Sequence, residues 1–384
     1  MQILKKYEKV DPITWSKRNI NLDYGSFNSA NHPLIVEPFQ SLARCRGKTI
    51  GLIGSVQHIK TLLSQLWHLY ALQVEPGRAA MYDLTEAALK EFSDDKFTPL
   101  IDSTDAVLDL IPNQAYRRTK FFTSTNFGAI RLLSANVLAA RNSKTLERIT
   151  CDEAWAYKDN WLDQIRDRMS SYAWSGQLFL PTSGQTKNSE IDEMWQRSTQ
   201  KTWHIKCDCC KEFIPYIWRA KAVGDEVPIG GMRWAAKEEY LKEDARIDFG
   251  LLAASVYYEC QLCGGKLNAD IGKQKARNFS GKYISLNPDG DENLDFFHYN
   301  AMAHIPWPKL VEQFKLSQVD RERGNLDSLE NFIRKRLAES WAVNDYMSAD
   351  IQANAMGGYE LNEVWDAAGQ FIFCTVDVQK DHYY

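Results

Sequence analysis

Short apolar runs alternate with longer amphipathic segments through the first half of the chain. The runs have the length of buried strands and cover residues 49–53, 79–82, 129–133, 148–151 and 177–180. Apolar side chains recur at helical spacing between and after these runs, at residues 60–74, 85–101 and 161–172. Strands separated by amphipathic helices predict an α/β fold, in which helices cover both faces of a parallel sheet. This is the ground plan of nucleotide-binding folds, but a fold alone does not define a site.

The pattern changes after Gln200. Two groups of cysteines, at 207–210 and 260–263, enclose short strand-like pieces and a glycine turn, and we predict an insertion from about residue 203 to 267. A polar stretch at 287–291 then leads into a helical segment, and residues 371–377 have the pattern of a further apolar strand. The sequence therefore predicts an α/β core, a cysteine-bearing insertion and the beginning of another element near the last residue.

Composition narrows the class of protein. A chain of 384 residues can form two or three domains, and 44% hydrophobic with 25% charged residues is typical of a soluble globular protein. No apolar stretch reaches the roughly 18 residues of a membrane span, and the first residues lack the apolar core of a signal peptide. We therefore expect a reducing, cytosolic compartment, in which the eight cysteines do not form four disulfides.

Charge is close to balanced overall but uneven along the chain. The formal net charge of −4 does not indicate nucleic acid. Residues 117–148, however, contain a single acid, Glu147, and seven basic residues: Arg117, Arg118, Lys120, Arg131, Arg141, Lys144 and Arg148. This stretch is a candidate surface for gripping a polyanion, and an ordinary solvated basic face is the alternative.

The first motif that carries chemistry joins a predicted strand to a predicted helix at residues 54–61. A phosphate-binding loop needs wrapping backbone amides, a lysine for the β- and γ-phosphates and a hydroxyl for Mg²⁺. Gly54, Lys60 and Thr61 occupy those places. Ile59 stands where a glycine usually precedes the lysine, and a β-branched residue resists positive φ and the close approach of phosphate. An ordinary strand-turn-helix is therefore the alternative.

Two further motifs follow the predicted strands at 148–151 and 177–180. Asp152 at a buried strand exit can hold Mg²⁺ through water, and Glu153 can orient or deprotonate an attacking water. Thr182 and Ser183 supply small hydroxyl groups that can sense a γ-phosphate beside that acidic pair. Polar strand ends followed by turns are the alternative for both motifs.

Two Cys-x-x-Cys pairs predict a structural zinc site. Cys207 with Cys210 and Cys260 with Cys263 offer four thiolates, and Cys209 is a spare. The glycines after Cys263 permit the tight turn that aims backbone amides at sulfur. The 49 residues between the pairs exceed the usual spacing of a zinc ribbon, so the intervening loop must be elaborated. Scattered reduced cysteines are the alternative.

The order of these motifs resembles the lambda-type large terminase subunit of tailed phages. Two later segments add to the resemblance, Phe297-His298-Tyr299-Asn300-Ala301 and the run from Phe332 to Trp341. The resemblance extends from about Trp15 to the last residue, and the motif order is more specific than any one motif. It implies a P-loop ATPase of the additional-strand, catalytic-glutamate kind, followed by an RNase H-like nuclease. The implied activity is an ATP-driven motor that packages concatemeric double-stranded DNA into a prohead and cuts it.

By position, the resemblance implies roles for individual residues. Gly54, Lys60 and Thr61 would contact phosphate and Mg²⁺, Asp152 would be the Walker B aspartate, and Glu153 the catalytic glutamate. Thr182 and Ser183 would form the coupling motif, and Arg141 would correspond to an arginine able to touch phosphate. Asp377 matches the first metal-binding aspartate of the nuclease. Because one carboxylate cannot assemble a two-metal site, we expect nuclease activity only in a longer chain.

The resemblance also implies a division of the chain and a set of partners. The expected segments are an N-terminal arm (1–33), the ATPase core (34–202), a zinc-ribbon insertion (203–267), a lid or linker subdomain (268–368) and a first nuclease strand (369–384). The expected cofactors are ATP, Mg²⁺ and Zn²⁺. The expected partners are viral double-stranded DNA, the small terminase subunit, the portal of the prohead and further copies of the chain, in the host cytoplasm and away from membranes.

Two other classes of function remain open from the sequence. One is a catalytically degenerate, zinc-stabilised DNA-binding or assembly module, for which Ile59 is the best argument. The other is a helicase-like translocase, which is disfavoured because no second motor domain follows.

Overall fold

The computed structural model describes residues 10–56, 59–220, 229–242 and 246–342, together with the backbone of 378–379 and 382–383. It forms two units, Met1–Trp341 and Ala342–Tyr384. In the second unit, Val378–Gln379 pairs antiparallel with His382–Tyr383. Asp377, the predicted nuclease ligand, lies outside the described residues.

The first unit contains a large sheet and two smaller ones. Its strands are β1 (Asn21–Leu22), β2 (Gly25–Ser26), β3 (Thr49–Gly54), β4 (Arg78–Asp83), β5 (Arg118–Thr119), β6 (Phe122–Ser124), β7 (Ala129–Ser134), β8 (Arg148–Cys151), β9 (Gln177–Thr182), β10 (Lys201–Lys206), β11 (Phe213–Pro215), β12 (Gly231–Arg233), β13 (Tyr257–Glu259), β14 (Lys266–Asn268), β15 (Lys282–Ser285) and β16 (Leu294–Tyr299). All five strands predicted in the first half of the chain are present, as β3, β4, β7, β8 and β9.

Helices pack around this sheet. They are α1 (Pro12–Asn19), α2 (Val36–Arg44), α3 (Lys60–Gln73), α4 (Glu86–Phe92), α5 (Thr98–Asp102), α6 (Asp105–Leu108), α7 (Leu138–Asn142), α8 (Trp161–Arg166), α9 (Glu190–Arg197), α10 (Lys237–Tyr240), α11 (Phe249–Ser255), α12 (Ile271–Phe279), α13 (Trp307–Glu322) and α14 (Asp327–Asn331). Single π-helical turns follow α4 at Ser93–Phe97 and α14 at Phe332–Leu337. None of the described helices has the length and apolar character that crossing a membrane requires.

The centre of the large sheet is parallel, which confirms the predicted fold class. Its parallel strands run in the order β10-β16-β3-β9-β8-β4-β7. Antiparallel strands extend both ends, with β6 and β5 beyond β7 and with β11 and β15 against β10. Strand β9 lies between β3 and β8, which is the additional strand that the resemblance implies.

Burial explains why the central strands are so apolar. Every residue of β8 and β9 is buried, because helices cover both faces of a parallel sheet. Gly51 in β3 leaves room for a neighbour, since a Cβ there would lie 2.2 Å from the ring of Phe296 in β16. In such a sheet, ligands bind at the carboxyl ends of the strands, where polar side chains can reach them.

The region predicted as an insertion is shared between two sheets. Strands β10 and β11 belong to the large sheet, whereas β12, β13 and β14 form a separate antiparallel sheet. The predicted boundary at residue 202 therefore falls inside β10, which pairs in parallel with β16. The four central residues of β10 are buried, and its pairing with β16 extends the parallel sheet of the core by one strand.

The described part of the N-terminal arm packs on the core. The Trp15 ring meets Tyr70 of α3 edge-on, with ring centroids 5.7 Å apart, and the Tyr70 hydroxyl donates to the carbonyl of Val10 at 2.9 Å. The hairpin of β1 and β2 then lies near the first turns of α3, where both border one cavity. The arm therefore contributes to the surroundings of the loop that precedes α3.

Candidate functional site

Three neighbouring strand ends bring the predicted motifs together. The ammonium of Lys60 lies 2.8 Å from Glu153 Oε1, 3.0 Å from Ser183 Oγ and 3.2 Å from the Gly54 carbonyl oxygen. Lys60 is only 5% exposed, so this charge is held away from water. Because β3, β9 and β8 are adjacent and parallel, residues that follow them meet at one edge of the sheet. One residue from each of the three motifs, Lys60, Ser183 and Glu153, therefore meets the others here.

Glu153 is held by several donors. Its backbone is left-handed (φ 44°), which turns the chain sharply after β8. The Ser183 amide and hydroxyl donate to its carboxylate at 3.3 and 2.9 Å, and the Trp155 indole N–H donates at 2.6 Å. Burial alone would raise the pKa of Glu153, but Lys60 and these hydrogen bonds lower it below its usual value. The carboxylate is therefore ionised and its position is fixed.

Asp152 differs from its neighbour. Its amide donates to the Tyr82 carbonyl at 2.9 Å, and its Oδ1 accepts the Glu153 amide at 3.1 Å. Desolvation, and then the negative charge of Glu153, raise the pKa of Asp152 to about 7. A half-buried carboxylate beside a second negative charge fits a role as a ligand of a divalent cation, because the cation would restore the ionised form.

The loop before α3 explains how an isoleucine is accommodated next to the lysine. Ile59 has right-handed helical backbone angles (φ −86°, ψ −12°), and its side chain is 1% exposed. No positive φ is needed at this position, so the conformational part of the objection to Ile59 does not apply. Gly54 is required for packing, since a Cβ there would lie 2.2 Å from the Tyr299 ring. Thr61 is half-buried in the first turn of α3.

Two predicted residues make their contacts elsewhere. The Thr182 hydroxyl accepts a hydrogen bond from the Gln185 amide at 2.7 Å. Arg141 stacks over the Trp161 ring at 4.3 Å and donates to Gln164 at 2.7 Å and to a backbone carbonyl. Among the described contacts, neither side chain reaches Lys60 or the acidic pair. The geometry favours a packing role for Arg141.

The basic stretch at 117–148 is less available than its composition indicates. Arg141 and Arg148 are buried, at 6% and 2% exposure. Arg118 and Lys120 are each paired with an aspartate, at 2.6 and 2.9 Å. Lys144 is exposed. The face that could grip a polyanion is therefore smaller than the sequence alone predicts.

The four predicted cysteines converge. Their sulfur atoms all lie within 4.8 Å of one another, with 4.0 Å between Cys207 and Cys263 and 3.9 Å between Cys210 and Cys260. A tetrahedral zinc with Zn–S bonds of about 2.3 Å places its sulfurs about 3.8 Å apart. The seven cysteines that the structure describes are free thiols, and Cys209 is outside the cluster. The arrangement has the size of a tetrathiolate metal site.

The two cysteine pairs sit on matching backbone turns. In each, the first sulfur accepts an amide at 3.4 Å, from Cys209 for Cys207 and from Leu262 for Cys260. Each turn ends in a left-handed residue, Lys211 in the first and Gly264 in the second. Amides directed at sulfur stabilise thiolates, so the donor set fits a metal such as Zn²⁺.

Some residues at the site were not assigned roles from the sequence. Trp155 donates to Glu153, and Arg334 contacts both the Trp155 ring and the carbonyl of Gly184. The only sequence signal for Trp155 is its place two residues after Glu153. Arg334 follows Gly184 by 150 residues, so no local pattern could indicate its position.

The parallel sheet with an additional strand, together with the lysine–serine–glutamate cluster, defines a P-loop ATPase. The family model described as phage terminase large subunit gpA, ATPase domain, matches residues 22–278. The model of the gpA endonuclease domain matches residues 297–384. The chain therefore belongs to the phage terminase large subunit gpA family. Its activity is that of an ATP-driven DNA-packaging motor.

Solved structures of related folds include other large terminases. The chain is similar to the ATPase domain of the large terminase of Thermus phage P74-26, with 12% identity, 79% of this chain and 93% of that chain covered, and a TM-score of 0.43. The large terminase of bacteriophage HK97 is 10% identical over 64% of this chain and 50% of that chain, with a TM-score of 0.42. Comparison with curated protein sequences gives no match.

The start of the endonuclease match falls within the large sheet. Residue 297 lies in β16, and this strand pairs with β3 over its whole length. Residues 297–341 are therefore part of the same compact unit as the ATPase core.

Proposed function

We propose that Lys60, Asp152, Glu153 and Ser183 carry out the ATP hydrolysis that drives packaging. Lys60 binds the β- and γ-phosphates, and Glu153 accepts a proton from the attacking water. Ser183 links the glutamate to the strand that ends beside the phosphates. The convergence of Lys60, Ser183 and Glu153 at three adjacent strand ends is the observation that supports this assignment. The first amides of α3 add a helix N-terminus that favours a bound phosphate.

We propose Asp152 and Thr61 as the residues that hold Mg²⁺. Thr61 follows the lysine in the first helical turn, and Asp152 is a carboxylate with a raised pKa at the neighbouring strand end. Mg²⁺ would supply positive charge to the phosphate oxygens during transfer.

We propose that the adenine base occupies a cavity beside the start of α3. This cavity of about 450 Å³ is lined by Ile59 and Leu62 on the helix side and by Tyr24 and His32 on the side of the N-terminal arm. The Tyr24 hydroxyl and His32 Nε2 are 2.9 Å apart, so the ring of His32 is fixed. The lining is about half polar, with Gln65 and Lys96 among its polar side chains, so it offers hydrogen-bonding groups as well as apolar contact to a planar heterocycle.

We propose that the four clustered cysteines bind one structural Zn²⁺. We also propose that exposed basic side chains contact the phosphates of DNA without reading its bases. The remaining proposed partners are the small terminase subunit, the portal of the prohead and further copies of the chain. Asp377 is proposed as a metal ligand of the nuclease.

Binding of ATP tests the lysine assignment. We expect Lys60→Ala to weaken Mg²⁺-dependent ATP binding about 10- to 100-fold, because a charged hydrogen-bond donor to the phosphates is lost. A titration with a fluorescent ATP analogue measures this change.

Lys144→Ala is the matched control, since it removes an exposed lysine outside the site. Equal affinity in the wild-type protein and in Lys60→Ala would rule out the assignment. No ATP binding by the wild-type protein would favour the degenerate DNA-binding module.

A further inference from the structure

The indole of Trp155 lies between the catalytic glutamate and an arginine from the end of the first unit. Trp155 belongs to the short turn Ala154–Ala156, directly after the left-handed residue Glu153. Its Nε1–H donates to Glu153 Oε2 at 2.6 Å. The guanidinium carbon of Arg334 lies 4.4 Å from the centroid of the same ring. Although Trp155 is 39% exposed, its ring is held by the carboxylate at its edge and by a cation over its face.

Arg334 is itself held in place. Its Nε donates to the Gly184 carbonyl at 3.1 Å, and a guanidinium N–H donates to Glu330 at 2.7 Å. Its own carbonyl accepts the Gly184 amide at 2.9 Å. The side chain is only 16% exposed, so these bonds are sheltered from water. These hydrogen bonds define the position of the Arg334 guanidinium, and the guanidinium in turn restrains the Trp155 ring on which it stacks.

The segment around Gly184 follows β9 and runs beside residues 334–341. A Cβ on Gly184 would lie 2.3 Å from the Glu339 carbonyl oxygen, so only glycine allows this approach. Farther along, the Trp341 amide donates to the Gln185 carbonyl at 2.8 Å. The position of Arg334 is thus tied to the strand end that carries Ser183.

The Glu153 carboxylate requires hydrogen-bond donors other than Lys60 if it is to keep its orientation when ATP is bound. A lysine that binds the phosphates of ATP cannot keep its 2.8 Å contact with the Glu153 carboxylate unchanged. Ser183 and Trp155 are then the described side chains that still donate to that carboxylate. A general base must present one oxygen to water at a defined angle, and small errors of placement lower the rate.

We infer that Trp155 and Arg334 are positioning residues for ATP hydrolysis: Arg334 fixes the indole ring, and the indole N–H orients the Glu153 carboxylate. The inference rests on the proposed function, because it takes Glu153 as the base. The orientation of the Glu153 carboxylate would then depend on the segment Phe332–Leu337, which carries Arg334.

Steady-state ATP turnover of the full chain tests the inference. Trp155→Phe keeps an aromatic face for Arg334 and removes the N–H donor. We expect kcat to fall about 10-fold or more while KM for ATP stays within about 2-fold, because a hydrogen bond to a charged group that orients the base is lost. Arg334→Gln should lower kcat in the same way. The double variant should fall no further than Trp155→Phe alone, since both act through one ring.

Trp174→Phe is the matched control, because Trp174 is 93% exposed and should leave kcat unchanged. Wild-type kcat in Trp155→Phe would overturn the inference, as would effects of the two substitutions that multiply in the double variant. If Trp155→Phe does not fold, Arg334→Gln decides: a lower kcat at unchanged KM supports the inference, and wild-type kcat refutes it. Absence of turnover in the wild-type protein would instead refute the proposed function.

Discussion

Glu153→Gln is expected to lower ATP turnover by about 10²- to 10⁴-fold while ATP binding is kept, because general-base catalysis contributes a factor of that size. The amide has the shape of the carboxylate and can still accept hydrogen bonds from Ser183 and Trp155. It cannot accept a proton from water, and it removes the charge that pairs with Lys60. The rate of ATP hydrolysis should therefore fall far more than the affinity for ATP.

Measurement of kcat and of the equilibrium affinity for ATP separates these two effects. Glu190→Gln provides the matched control: it makes the same exchange at a glutamate of similar side-chain exposure, 40% against 38%, outside the site. Turnover that is unchanged in Glu153→Gln would show that another group activates the water.

Cys207→Ser is expected to abolish stoichiometric zinc binding and to destabilise the β12–β14 sheet with its cysteine turns. A structural zinc site contributes up to about 10 kcal/mol or more of folding free energy in small isolated domains. Here part of the region is also held by packing, since the buried Tyr258 of β13 meets the Tyr216 ring edge-on with centroids 5.8 Å apart. We therefore expect a smaller loss, visible as a fall of the unfolding midpoint by at least about 5 °C.

Metal analysis of the purified protein and thermal unfolding check this prediction. Cys209→Ser is the matched control, because Cys209 is the exposed neighbour outside the cluster of four sulfurs. The prediction requires one zinc per chain in the wild-type protein and in Cys209→Ser. It would be contradicted by wild-type protein without zinc, or by equal midpoints for the two serine variants.

Much of the core could be predicted because the apolar runs in the sequence are the segments that the fold buries. Strands such as β8 and β9 are apolar along their whole length, and only a sheet covered on both faces buries such a strand completely. The predicted edge of the insertion at residue 202 lies within β10, whose place in the large sheet depends on a distant partner. The sequence of β10 does not reveal that its neighbour is β16, which lies almost 90 residues later.

The site was predictable where its residues are adjacent in sequence to a strand end. Glu153 and Ser183 meet Lys60 because parallel strands place their exits on one edge. The helical backbone conformation of Ile59 could not be predicted, since it depends on the path that the loop takes in the folded chain. Arg334 could not be predicted either, because its contact with Trp155 exists only in the folded chain.

DNA-stimulated ATP turnover tests most directly whether this chain converts ATP hydrolysis into work on DNA. The measurement compares the steady-state rate of the wild-type protein with and without linear double-stranded DNA, at saturating ATP and Mg²⁺. We expect turnover that rises several-fold with DNA and that falls back at high salt, as phosphate contacts require. A rate at the level of spontaneous hydrolysis, with DNA present or absent, would contradict the account.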